Sequence, residues 1–286
     1  MSDLILKVRD LAMEFKTDNR KLKALDGVSF DVFKGETLGV VGESGCGKTT
    51  LGRCIMGLLK PAKGEIDFVP ETVSRGMIFQ DPYNSVDPYW TVEKIVAEGC
   101  NDKKQVKELL EKVGLNDEEK DKYPHELSGG QLQRVGIART LGTNPQFIVC
   151  DEPVSALDVS YQSKIISLLE DLQEQDDLAY LFISHDLAVV RHISDRIMIM
   201  YKGQIMEIGD TDDIINDAKH PYTKLLLSAV PSPFTEKKEV ETVNDETVST
   251  GCPFASRCLQ RKEICLKERP QLKTDEKGRK TACHLY

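Results

Sequence analysis

Residues 42–50 read Gly42-Glu43-Ser44-Gly45-Cys46-Gly47-Lys48-Thr49-Thr50. They match the phosphate-loop pattern G-x-x-x-x-G-K-[ST], with an apolar run at 37–41 before them and helix-like apolar spacing at 51–59 after them. In this context, backbone N–H groups and the positive end of the helix surround an anion. We therefore predict that all nine residues bind a nucleotide. Lys48 would contact the β- and γ-phosphates and assist catalysis, and the Thr49 hydroxyl would bind Mg²⁺.

The composition describes a soluble globular chain and argues against several classes of function. The 286 residues are enough for one large domain and a small one. A net charge of −9 argues against a nucleic-acid partner, which would require a basic stripe. No apolar run is long enough to span a bilayer, and residues 1–4 lack the basic and apolar regions of a signal peptide. We expect a cytoplasmic chain that reaches a membrane only through partner chains.

Polar side chains follow predicted strands beyond the phosphate loop. Phe147–Cys150 has the pattern of a buried parallel strand, and Asp151 and Glu152 come directly after it. Ligands of open α/β sheets gather at the carboxyl ends of strands, so we predict that Asp151 binds Mg²⁺ and Glu152 deprotonates the attacking water. Gln80 is either a polar cap of its strand or a contact to Mg²⁺ and that water. A histidine at a strand end is usually structural, but His185 ends on the predicted phosphate side and is a catalytic candidate.

A second anion site is predicted far along the chain, at Leu127-Ser128-Gly129-Gly130-Gln131. Ser128 is a suitable N-cap for the helix that follows. The two glycines weaken the first helical turn without an apparent structural benefit, but they leave backbone donors uncovered for an anion. We predict that Ser128, Gly129, Gly130 and Gln131 contact the same phosphates from another direction.

Three further expectations concern the fold. Phe15 is either a core aromatic residue or a surface on which a base stacks. Val28–Val32 and Thr37–Val41 flank a turn at 33–36, and this pattern predicts a hairpin. The segment at about 81–140 has helical apolar spacing and is expected to be a helical piece inserted between strands.

Together these motifs resemble the nucleotide-binding subunits of ABC transporters. In chain order they are the phosphate loop, Gln80, Leu127–Gln131, Asp151-Glu152, Ser155–Asp158 and His185. The resemblance covers about residues 4–230. It implies an α/β fold of the P-loop NTPase class, an ABC ATPase with an inserted helical subdomain. It also implies that ATP and Mg²⁺ bind, that adenine stacks on Phe15 and that Asp158 contributes to the nucleotide site.

Other segments narrow the resemblance to the ATPases of oligopeptide and dipeptide importers. These segments are Phe79–Tyr83, Tyr123–Gly130, His220–Thr223, Ala229–Pro231 and the cysteine-containing end. Nickel importers are close relatives, and the cysteines favour peptides. The chain departs from this pattern at 65–76, where related chains carry more residues, and we expect only a trimmed peripheral loop.

The resemblance further implies an assembly at the cytoplasmic face of the membrane. Two ATPase subunits, alike or different, would form a head-to-tail dimer with ATP between Lys48 of one and Ser128–Gln131 of the other. Two transmembrane permease subunits would bind them, and an extracytoplasmic solute-binding protein would complete the system, with no nucleic acid involved. ATP hydrolysis would power import of peptides or a related small solute.

Four of the eight cysteines lie near the end of the chain, with the spacing C-x5-C-x6-C-x17-C over Cys252, Cys258, Cys265 and Cys283. Cytosolic cysteines rarely form disulfides, and so short a segment needs a staple to fold. Four thiolates suit a [4Fe–4S] cluster or tetrahedral zinc, and free thiols or disulfides are the third interpretation. The resemblance to importer ATPases favours a structural cluster. His284 is expected to flank this site rather than ligate.

Two other functions stay open. A soluble ABC protein of the repair or translation type usually carries two cassettes or a long coiled coil, and this chain has neither feature. Alternatively, the cysteines could sense redox or metal state in a regulatory subunit whose ATP turnover is secondary.

We predict a nucleotide-binding domain over residues 1–230, followed over residues 231–286 by a polar linker and a small cysteine-rich C-terminal segment.

Overall fold

The computed structural model describes residues 3–17, 20–100, 102, 104–229 and 250–286. Its strands are β1 (Leu4–Thr17), β2 (Arg20–Phe33), β3 (Thr37–Val41), β4 (Lys63–Phe68), β5 (Arg75–Ile78), β6 (Phe147–Asp151), β7 (Ala179–Ser184), β8 (Arg196–Tyr201), β9 (Gln204–Asp210), β10 (Lys273–Thr274) and β11 (Lys280–Thr281). Its helices are α1 (Lys48–Ile55), α2 (Val92–Ala97), α3 (Gln105–Lys112), α4 (Gly129–Leu141), α5 (Val159–Asp176), α6 (Leu187–Ile193), α7 (Thr211–Asn216), α8 (Pro221–Ala229) and α9 (Ile264–Lys267).

The larger sheet has the strand order β10-β11-β9-β8-β3-β7-β6-β5 within the described residues. β3 lies in its interior and runs parallel to both β7 and β8. One face of this sheet packs against α4, α5 and α6, and the other packs against α1 and the strands β1 and β2. Every residue of β3, β6 and β7 is therefore buried, as expected for parallel strands covered on both faces. Their carboxyl ends meet at one edge, where the phosphate loop and Asp151 lie.

A smaller antiparallel sheet has the order β2-β1-β4 within the described residues. β2 pairs with β1, with Val8 opposite Phe30 and Leu11 opposite Val28. The predicted hairpin between Val28–Val32 and Thr37–Val41 is therefore wrong. The turn between them is short, but β3 is apolar on both faces and pairs in parallel with β7 instead. Such a strand is stable only in the interior of the larger sheet.

The chain between β5 and β6 forms the helices α2, α3 and α4, as the helical spacing predicts. Their apolar residues join those of α5 in one core, including Val96, Leu110, Leu132 and Val135. The boundaries of this piece, at about 81 and 140, stay a prediction. Among the described helices, none combines the length and the apolar composition that crossing a bilayer requires.

The C-terminal residues attach to the larger sheet at its β9 edge. Thr281 in β11 pairs with Glu207 in β9, and β10 then pairs with β11. Cys252, Phe254 and Cys265 join the core that α5 and α8 line. Of the predicted linker, residues 231–249 lie outside the described residues, and the domain boundary at residue 230 stays a prediction.

Candidate nucleotide site

The phosphate loop has a shape that requires glycine at its turning points. Gly45 and Gly47 have φ angles of 77° and 107°, which residues with side chains rarely adopt. A Cβ on Gly42 would lie 2.2 Å from the main-chain oxygen of Met200, and one on Gly47 would lie 2.3 Å from that of Ala24. The loop thus packs directly against the main chain of neighbouring segments, and α1 begins immediately after it.

Lys48 places its charge inside this loop. The side chain is buried, and its Nζ donates to the main-chain oxygens of Gly42 at 2.7 Å and Glu43 at 3.1 Å. The Cys46 thiol lies 4.0 Å from the same Nζ, and burial raises the pKa of this thiol. A buried ammonium group whose acceptors carry no full negative charge is suited to bind a phosphate of several negative charges.

Thr49 and Asp151 meet at the carboxyl end of β6. The Thr49 Oγ1 donates to Asp151 Oδ1 at 2.9 Å, although the two residues are 102 positions apart. Asp151 is 2% exposed, and burial raises its pKa against the opposing hydrogen bond from Thr49. A divalent cation would relieve this desolvation, because it favours the ionised carboxylate. The pair therefore fits the predicted Mg²⁺ site.

Glu152 lies at the centre of a second cluster. Its Oε2 is 3.2 Å from Gln80 Nε2 and 3.1 Å from His185 Nδ1. Gln80 follows β5 and His185 follows β7, so the sheet brings three strand ends together here. Glu152 itself has φ of 48°, in the left-handed region that a non-glycine residue rarely adopts. The structure thus joins Gln80, Glu152 and His185, which the sequence analysis selected separately.

The segment Ser128–Gln131 begins α4 with a complete capping box. The Ser128 side chain accepts from the Gln131 N–H at 3.3 Å, and the Gln131 side chain accepts from the Ser128 N–H at 3.0 Å. Gln131 Nε2 also donates to Glu119 at 3.3 Å. A Cβ on Gly130 would lie 2.6 Å from the ring of Tyr161. The predicted N-cap is confirmed, whereas the phosphate contacts of Ser128, Gly129, Gly130 and Gln131 stay predictions.

The structure shows the surroundings of Phe15 and Asp158. Their contacts to a nucleotide stay predictions. Phe15 lies in β1 opposite Leu22 and is 36% exposed, so its ring is accessible at the surface. Asp158 is the N-cap of α5: it accepts from the Ser160 hydroxyl at 2.7 Å and from the Tyr161 N–H at 3.1 Å. The hydrogen bond from Ser160 lowers the pKa of Asp158.

The four C-terminal cysteines gather around one small cavity. Cys252, Cys258, Cys265, Cys283 and His284 line it, and all four cysteines are free thiols. Burial raises the pKa of Cys252 to about 11 and also raises the pKa values of Cys258 and Cys283. Within the described residues, no group of three or more cysteine, histidine or acidic side chains is arranged to hold a metal ion. The predicted [4Fe–4S] or zinc site is therefore not supported.

Two residues that no sequence motif indicated hold the phosphate loop from the C-terminal side. Arg257 binds the carboxylate of Glu43 with both terminal nitrogens, at 2.9 Å each. The Tyr222 hydroxyl accepts from the Glu43 N–H at 3.0 Å. No local pattern connects residues about 180 and 214 positions apart, so only the folded chain reveals these contacts.

Comparison with known sequences decides the family. Residues 25–155 match the ABC transporter family, and residues 206–265 match the oligopeptide/dipeptide transporter C-terminal region. A putative oligopeptide transport ATP-binding protein, YkfD of Bacillus subtilis, is 45% identical, covering 99% of this chain and 95% of its own length. The chain belongs to the ABC transporter family. Within the family it is one of the oligopeptide/dipeptide-type ATP-binding proteins, which confirms the resemblance that its motifs indicated.

Further relatives and solved structures agree with this assignment. The oligopeptide transport ATP-binding protein OppF of Haemophilus influenzae is 42% identical over 98% of this chain and 97% of its own. A dimeric post-hydrolysis structure of the ATP-binding cassette MJ0796, bound to ADP and phosphate, has a TM-score of 0.65 and 27% identity, covering 72% of this chain and 99% of its own. A nucleotide-free ATP-binding cassette from an ABC transporter has a TM-score of 0.68 and 27% identity, covering 78% of this chain and 98% of its own. The ABC ATPase fold is thereby confirmed.

Proposed function

We propose that this ABC subunit hydrolyses ATP to power the import of peptides across the cytoplasmic membrane. The observation that carries the proposal is the meeting of three strand ends beside the phosphate loop, where Glu152 contacts Gln80 and His185 and Asp151 contacts Thr49. The peptide substrate rests on the relatives, whose names describe oligopeptide transport ATP-binding proteins.

Each residue of the cluster has a distinct role in this reaction. Lys48 and the loop N–H groups bind the phosphates, and the Glu152 carboxylate accepts a proton from the attacking water. His185 and Gln80 hold that carboxylate in place through its Oε2. Mg²⁺ would be held by Thr49, Asp151 and Gln80, and it would neutralise charge on the phosphates.

The second half of the site would come from a partner ATPase subunit. Ser128–Gln131 begins a 13-residue helix, whose first N–H groups suit an anion. The same segment of a second subunit would face Lys48 across ATP, with Phe15 under the adenine and Asp158 near the subunit interface. A head-to-tail dimer is supported by the dimeric post-hydrolysis cassette bound to ADP and phosphate. ATP would favour the closed dimer, and hydrolysis would release it.

Two permease subunits and an extracytoplasmic solute-binding protein would complete the importer, with this chain at the cytoplasmic face. The absence of a spanning helix among the described residues is compatible with such peripheral attachment. Nickel or another small solute is the second candidate substrate. Purification of the tagged chain from its native membrane would identify the accompanying chains. We expect permease chains of the peptide-importer type.

Transport itself tests the proposal. Vesicles containing the isolated transporter and its solute-binding protein should take up labelled oligopeptides when ATP is supplied. Lys48→Ala should abolish uptake, because the loop loses its phosphate-binding charge. ATP-dependent uptake of nickel without peptide uptake would overturn the peptide assignment. Peptide uptake that persists in the Lys48→Ala transporter would instead favour a regulatory subunit.

A metal at the four-cysteine cavity remains a separate part of the proposal. The four thiols are free and line one cavity, which supports binding of a soft cation after deprotonation and rearrangement. Anaerobic purification followed by iron, sulfide and zinc analysis would distinguish a [4Fe–4S] cluster from zinc. Less than about one tenth of an equivalent of either metal, with all eight thiols of the chain reacting with a labelling reagent in unfolded protein, would exclude both.

A further inference from the structure

Arg257 connects the described C-terminal residues 250–286, called the cysteine segment from here on, to the phosphate loop. It lies between Cys252 and Cys258, 214 positions beyond Glu43. Its Nη1 and Nη2 each lie 2.9 Å from a different carboxylate oxygen of Glu43, which is a bidentate ion pair. The hydrogen bond to Glu43 also raises the pKa of Arg257. Such a planar pair fixes both the position and the orientation of the carboxylate.

Aromatic rings hold this guanidinium group in place. Its central carbon lies 5.8 Å from the Tyr201 ring centroid and 5.6 Å from that of Phe254. Phe254 in turn lies against Tyr222, with centroids 5.3 Å apart, and the Tyr222 hydroxyl accepts from the Glu43 N–H. One aromatic cluster therefore holds the main chain of Glu43 through Tyr222 and its side chain through Arg257.

Glu43 lies within the predicted anion-binding loop. Its carboxylate puts a negative charge beside N–H groups that are expected to bind phosphates, and like charges repel. Its main-chain oxygen is also an acceptor for Lys48 Nζ. A fixed and neutralised Glu43 would therefore weaken the repulsion and keep the loop in the shape that orients Lys48.

We propose that Arg257 is a positioning residue of the nucleotide site, which pairs with Glu43 so that the phosphate loop can bind ATP. This inference rests on the proposed ATPase function and deepens it. The cysteine segment thereby supplies part of the nucleotide site, through a residue that does not itself touch the phosphates.

The test compares ATP binding by the full-length chain and its variants in the presence of Mg²⁺. Arg257→Met keeps the apolar stem and removes the charge, and it should raise the Kd for ATP about tenfold. The Kd of the Arg257→Lys variant should lie between those of Arg257→Met and the wild type, because a lysine keeps the charge but cannot form the bidentate pair. The control is Arg269→Met: Arg269 also belongs to the cysteine segment, but it pairs with Asp26 at 2.9 Å, and the Kd should stay within about twofold.

A double-mutant cycle separates charge neutralisation from general support of the fold. In a Glu43→Gln background, Arg257→Met should change the Kd less than about twofold, because no carboxylate remains to neutralise. Equal effects in the two backgrounds, or an equal effect of Arg269→Met, would overturn the inference. So would an Arg257→Met variant that binds ATP as the wild type does. If the wild type binds no ATP, the proposed function fails rather than this inference.

Discussion

At the residue scale, the proposed hydrolysis depends on the Oε2 atom of Glu152. This atom receives contacts from Gln80 Nε2 and His185 Nδ1 within 3.2 Å. An ionised carboxylate only accepts hydrogen bonds, so His185 Nδ1 is the donor of this contact. The left-handed φ of Glu152 costs about 1 kcal/mol, and such strain is found most often at functional sites.

His185→Ala should lower kcat about 100-fold and change the KM for ATP less than about threefold. The reason is that His185 contacts Glu152, whereas the loop and Lys48 are the predicted binding site for the ATP phosphates. Steady-state ATPase assays measure both constants. The control is His192→Ala, an exposed histidine that pairs with Glu170 and should leave both unchanged. A kcat within twofold of the wild type in His185→Ala would contradict its catalytic role.

Asp151→Asn should raise the Mg²⁺ concentration that half-saturates ATPase activity at least about tenfold. Asparagine retains an oxygen that can accept from the Thr49 hydroxyl, but it lacks the charge that attracts the cation. Titration of activity with Mg²⁺ at fixed ATP gives the measurement. An unchanged titration would exclude Asp151 from the metal site.

At the element scale, two glycines of α4 differ in their surroundings. A Cβ on Gly130 would meet the Tyr161 ring at 2.6 Å, so Gly130→Ala must displace the ring or the helix start and should lower the free energy of unfolding by about 1–3 kcal/mol. A Cβ on Gly136 meets nothing within 4 Å, and Gly136→Ala should stabilise the helix by about 1 kcal/mol. Urea unfolding measures both. If both substitutions changed the free energy of unfolding in the same direction, the packing described at Gly130 would be contradicted.

The buried imidazole before α8 should make stability fall in acid. Burial lowers the pKa of His220 to about 4 from the usual 6.5, and its Nδ1 accepts from the Tyr222 N–H at 3.0 Å. The unfolded chain therefore binds a proton that the folded chain does not over this interval, so stability is complete above pH 6.5 and declines toward pH 4.

His220→Asn should reduce this acid sensitivity while retaining an acceptor for the Tyr222 N–H. Between pH 7.5 and 5.0, the wild type should lose about 2 kcal/mol more of unfolding free energy than the variant. Urea titrations at the two pH values give the difference, and His192→Asn is the exposed control. If His220→Asn and the wild type lost the same unfolding free energy between the two pH values, another group would control the acid response.

The elements around Lys48 could be predicted because their signals are local. The apolar run of β3, the glycine turn and α1 are contiguous, and the strand end at Asp151-Glu152 carries its own pattern. The partner of β3 could not be predicted this way, since β7 follows it by more than a hundred residues and the nearby turn suggested β2 instead. The arginine contact to Glu43 carries no sequence signal, because it depends on how the C-terminal residues pack against the rest of the fold.

At the scale of the whole molecule, parallel strands and the C-terminal segment act on the same loop. The larger sheet places Asp151, Glu152 and His185 at its carboxyl edge, and the cysteine segment joins that sheet through β11 and the loop through Arg257. The chain is thus half of a nucleotide site in the proposed dimer, with the other half supplied by Ser128–Gln131 of a partner subunit.

Single-turnover hydrolysis of radiolabelled ATP, with the wild type and Glu152→Gln each assembled with their membrane partners, tests the central claim most directly. We predict that Glu152→Gln retains bound ATP and cleaves it at least about 100-fold more slowly than the wild type, because glutamine cannot accept the proton of the attacking water. Cleavage at the wild-type rate by Glu152→Gln, or a wild-type assembly that binds no ATP, would contradict the account.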